Sequence, residues 1–95
     1  MTPKDFLFDA ILSAVSTDSE SADLIWQLVE RWAKDEGQLV TREQLDDALC
    51  EMTESGLLSS YIESKEEGRL KKVAFKRELL PELWFESREV GSGNG

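Results

Sequence analysis

Apolar residues recur at helical spacing through the first half of the chain and switch to a two-residue alternation after Gly56. Phe6, Leu7, Ala10, Ile11, Ala14 and Val15 make one stripe, and the spacing predicts a first helix from about Pro3 to Ser16. Thr2 can cap it, Pro3 suits the first helical position, and Asp5 lies near the positive end of the helix dipole. The polar run Ser16 to Ser21 reads as a connection that also offers caps for a second helix, expected over about Ala22 to Glu36. Leu24, Ile25, Leu28, Val29 and Trp32 form its expected buried face, Trp26 falls off that stripe, and Gly37 is a natural stop. Gln38 to Val40 reads as a short link with a brief extended piece.

The third helix carries the clearest local signal. Thr41-Arg42-Glu43-Gln44 has the form of a capping box, in which the Thr41 hydroxyl accepts from the Gln44 amide and the Gln44 side chain accepts from the Thr41 amide. Leu45, Ala48, Leu49 and Met52 give the apolar face, and Gly56 followed by Leu57 predicts a Schellman-type end. Beyond it, Leu58, Ser60 and Ile62 alternate with Leu57, Ser59 and Tyr61, as on the two faces of a strand. Lys65 to Gly68 reads as a turn, Arg69 to Phe75 as a second strand, Lys76 to Glu82 as a connector or short helical turn, and Leu83 to Ser87 as a third strand. Residues 1–91 are expected to form one domain and residues 92–95 a flexible tail.

Three helices followed by a β-hairpin is an α+β layout. The stretch Leu45 to Leu58 resembles the third helix and exit of a winged helix, with an apolar helix face, a glycine and two apolar residues entering the wing. Leu83 to Gly91 resembles the strand that returns from the wing. The order is similar to that of the PadR-like group of winged-helix proteins and covers most of residues 4–91. The resemblance implies a three-helix bundle with a β-hairpin wing, and a third helix able to enter a DNA major groove. Such a helix usually offers Arg, Lys, Asn, Gln or Ser to bases and phosphates. Here it sets Arg42 alone against Glu43, Asp46, Asp47, Glu51 and Glu54. PadR-like regulators also usually carry a C-terminal dimerisation helix, and this chain stops before one.

Charge sharpens the picture. The net charge is −9, with 11 basic and 20 acidic side chains, yet six of the basic ones (Lys65, Arg69, Lys71, Lys72, Lys76 and Arg77) fall within residues 65–77. An acidic body repels phosphate at long range, while a basic hairpin can attract it locally. The same lysines can instead protect an exposed strand edge.

The chain has no histidine, which removes the commonest general base and metal ligand. No Gly-rich phosphate loop, paired-cysteine spacing or nucleophile elbow is present. Cys50 is the single cysteine, fitting a reducing cytoplasm and an inert thiol. Apolar stretches are too short to span a bilayer, and residues 1–16 lack the features of a signal peptide.

These readings predict a cytoplasmic, non-enzymatic module with no cofactor, metal, membrane or small-molecule substrate. The expected partner is a protein, a second copy included. Trp26 and Trp84, which fit no buried stripe, are the candidate interface, with Phe8 and Leu12, which widen the first helix's apolar face. The alternative is a DNA-binding regulator. There Arg69, Lys71, Lys72 and Lys76 would meet the backbone, and Arg42 and Gln44 would approach the groove. A third reading is an acidic protein that occupies a nucleic-acid-binding surface of another protein.

Overall fold

The computed structural model describes residues 2–87. The expected tail, residues 92–95, and residues 88–91 of the stretch that resembles the returning wing strand lie outside the described residues. Three helices come first, interrupted by a two-residue strand: α1 (Pro3–Ala14), β1 (Glu20–Ser21), α2 (Ala22–Asp35) and α3 (Arg42–Glu54). There follow β2 (Leu58–Ser64), β3 (Arg69–Lys72), a 3₁₀ helix (Arg77–Glu82) and β4 (Leu83–Ser87). The fold is α+β, with one antiparallel sheet in the order β1-β4-β2-β3.

Each helix is delimited by local chemistry. The hydroxyls of Thr2 and Ser21 cap α1 and α2 by accepting from the amides of Asp5 and Leu24. Thr41 and Gln44 close the expected capping box, at 3.1 Å for the Gln44 amide to the Thr41 hydroxyl and 2.9 Å for the Thr41 amide to Gln44 Oε1. Both α2 and α3 end in Schellman motifs. The amides of Gln38 and Leu57 reach back to the carbonyls of Ala33 and Met52 at 2.8 and 2.9 Å. Gly37 and Gly56 take the required left-handed conformation, with φ of 68° and 89°.

A single apolar cluster joins the helices to one face of the sheet. It contains all six residues of the α1 stripe and the four expected from α3, together with Leu58, Leu80, Leu83 and Phe85. The α2 expectation needs correcting. Ala22, Ile25, Val29 and Ala33 are buried, Leu28 and Trp32 are half-buried, and Leu24 is 38% exposed. Two alanines bracket the buried stripe, so α2 meets the core through small side chains, and Leu24 is left on the flank. Leu57, whose amide closes the Schellman end of α3, keeps 40% of its surface exposed.

The sheet departs from a simple hairpin. The strand candidate Arg69 to Phe75 ends its regular pairing at Lys72, although Val73 still donates its amide to the Ser60 carbonyl at 3.0 Å. Ser60 returns a bond through its hydroxyl to the Val73 carbonyl at 2.7 Å, which satisfies a buried polar group. Phe75 then packs on Phe85, with ring centroids 6.2 Å apart. The 3₁₀ helix carries the chain back, and β4 enters between β1 and β2 rather than beside β3. Gln38 to Val40 forms no strand.

Candidate interaction surfaces

Strand alternation assigns the two faces of the sheet. Leu83, Phe85 and Ser87 of β4 lie opposite Ile62, Ser60 and Leu58 of β2, on the side that meets the helices. Trp84 lies opposite Tyr61, which in turn lies opposite Lys72 of β3. Ser21 of β1 completes that row on the far side of Trp84. Trp84 and Tyr61 are half-buried, and Lys72 is exposed. The face turned away from the helices thus carries an aromatic pair with a cation at its margin. Glu63 and Glu86 share this face, and Glu86 is held by the Ser19 hydroxyl at 3.1 Å.

The other proposed interface residues are placed differently. Trp26, Phe8 and Leu12 are half-buried and pack against the apolar cluster, so much of their surface is already used within the fold. Phe8 is also overlain by the Lys4 ammonium, 5.7 Å from its ring centroid, while Lys4 bridges α1 to Glu51 of α3 at 2.9 Å. A shallow groove of about 300 Å³ opens between α1 and α2, lined by Phe6, Ala10, Ser13 and Trp32 with Asp9 and Glu36.

The two residues expected at a DNA groove are engaged within the protein. Arg42 donates from Nε to Asp46 at 2.9 Å and from Nη1 to Asp23 of α2 at 3.1 Å. Partial burial works against its charge, but these carboxylates outweigh it and hold the guanidinium above its ordinary pKa. Gln44 spends its side-chain oxygen on the capping box. The α3 surface keeps Glu43, Asp47, Glu51 and Glu54 exposed, with Asp47 bound by Arg77 at 2.6 Å.

The hairpin cations form a second surface. Arg69 pairs with Glu67 at 3.3 Å, whereas Lys65, Lys71, Lys72 and Lys76 are exposed and make no ion pair among the described residues. Lys71 shares a face with Ile62 and Lys72 shares the opposite face with Tyr61, so the cluster wraps the strand edge. No sequence signal predicted that Tyr61 and Trp84 would meet, because β4 skips β3 to reach β2.

Cys50 is half-buried, and its thiol is pushed up by burial and by the Glu54 carboxylate. Among the described residues no group of three or more His, Cys, Asp or Glu side chains could hold a metal ion. No described helix is long and apolar enough to cross a membrane. No protein-family model matches the chain, and neither a curated protein nor a solved structure matches it.

Proposed function

We propose that this chain is a non-enzymatic winged-helix module that acts by binding a protein. The observation that carries this reading is the state of Arg42. It is the only cation on α3, and it is taken up by Asp46 and Asp23. Glu43 and Glu54 stay exposed with no ion pair among the described residues, while Asp47 and Glu51 are paired with Arg77 and Lys4, so the outer face stays acidic. A helix of that charge meets a DNA backbone with repulsion. The winged-helix reading draws support from three helices that share one core with an antiparallel sheet, and from the β2–β3 hairpin that follows α3.

The surface best suited to a protein partner is the sheet face bearing Trp84 and Tyr61. Half-buried aromatic residues combine apolar area with a polar tip, which makes them frequent anchors of protein interfaces. A second copy of the chain is one partner the aromatic face can take. The test is molecular mass against concentration by sedimentation, for the wild type and for Trp84→Ala. A rising mass abolished by Trp84→Ala, with unchanged circular dichroism, is the expected result for self-association.

The alternative, a DNA-binding regulator, draws on Lys71, Lys72 and Lys76, which are exposed and make no ion pair among the described residues. A constant mass together with salt-sensitive binding of duplex DNA would replace the protein-binding reading with this one.

A further inference from the structure

We propose that the free edge of β3 accepts an acidic, extended segment of a partner protein as a fifth strand of the sheet. The inference rests on the protein-binding reading and names the chemistry of the partner. β3 pairs with β2 on one side and with no strand on the other among the described residues. The Val73 amide bonds the Ser60 carbonyl. By antiparallel alternation, Val73, Lys71 and Arg69 then aim their main-chain groups at β2, while Leu70 and Lys72 aim theirs outward. Those outward groups are the main-chain donors and acceptors that strand addition uses.

Charge selects the occupant. Lys71 and Lys72 stand on opposite faces of this edge, exposed and without an ion pair among the described residues; Arg69 shares the Lys71 face but is paired with Glu67. A second β3 edge laid antiparallel against this one would set lysine and arginine against each other, which opposes self-pairing here. Asp and Glu on an incoming strand meet the opposite charge on both faces. The Lys72 row continues inward to Tyr61 and Trp84, so the side chain placed outside Lys72 lies at the margin of an apolar platform. Single-stranded nucleic acid could also use aromatics and cations, but Glu63 and Glu86 share the platform face and favour a peptide whose charges sit only at the edge.

The experiment follows the amides of Leu70 and Lys72 by NMR during titration with three probes: a peptide alternating Glu with Val, one alternating Lys with Val, and oligothymidylate. The expected result is that only the Glu peptide binds and slows exchange of those two amides. In the Lys71→Glu, Lys72→Glu variant, affinity for the Glu peptide should fall about tenfold and the Lys peptide should bind instead. A fold check by circular dichroism accompanies the variant. Failure of the Glu peptide, equal binding of both peptides, or protection confined to other amides overturns the inference. If self-association is nevertheless seen, the protein-binding reading survives that failure. Binding of oligothymidylate alone removes both.

Discussion

Trp84 of β4 and Tyr61 of β2 are register partners, so their side chains leave the sheet on the same face, opposite to the one that meets the helices. The neighbouring position, Phe85, points the other way, is fully buried and packs on Phe75. Adjacent aromatics in one strand therefore have different physical jobs, and their substitution should separate. Phe85→Ala should destabilise by about 3–5 kcal/mol, a large share of the stability of a domain this size. Trp84→Ala should cost about 1–2 kcal/mol, because only part of its apolar area leaves water on folding. Urea denaturation of the two variants checks the ordering.

The capping box at the start of α3 gives a second prediction. Thr41→Ala removes the acceptor for the Gln44 amide and should lower stability by about 1 kcal/mol. Thr41→Ser keeps that acceptor and should stay close to wild type. The comparison, again by urea denaturation, isolates the hydroxyl from the lost methyl group.

Gly37 isolates backbone strain from crowding. An added Cβ there would meet nothing within 4 Å, yet φ is +68°. Gly37→Ala should therefore destabilise by about 1 kcal/mol through conformation alone. Gly37→Asn should cost less, since asparagine tolerates the left-handed region. Thermal melts of the pair test this order.

Burial and the Glu54 carboxylate both disfavour the Cys50 thiolate. The thiolate is the reactive form, so alkylation by iodoacetamide at mildly alkaline pH should be slower than for free cysteine. Raising the pH should speed it over a range above the ordinary thiol pKa. Glu54→Gln should accelerate the reaction at fixed pH, as followed by mass spectrometry.

What the sequence revealed depended on how local the cause was. The α3 capping box, the Gly56 stop and the Leu83–Ser87 strand were legible, because each rests on neighbouring residues or on strict alternation. The α1 and α3 stripes were legible for the same reason. Strand β1 was not, since Glu20 and Ser21 carry no strand pattern and pair only because β4 arrives from the far end of the chain. Leu24 misled because it continues the Leu28 and Trp32 row at helical spacing, whereas that row lies on the flank and the buried stripe runs through Ala22, Ile25, Val29 and Ala33. The cationic hairpin was visible in composition alone. The internal use of Arg42 by Asp23 required the α2–α3 arrangement.

A duplex-DNA titration at low salt, repeated at higher salt, separates a protein-binding module from a DNA-binding one. Electrostatic attraction is least screened at low salt, so any phosphate contact by Lys71, Lys72 or Lys76 would be strongest there. A module built to bind protein, with Arg42 spent on Asp46 and Asp23, should give no shift at either salt. Binding that weakens steeply with salt, and is lost in the Lys71→Ala, Lys72→Ala variant, would contradict it and make the hairpin a DNA contact.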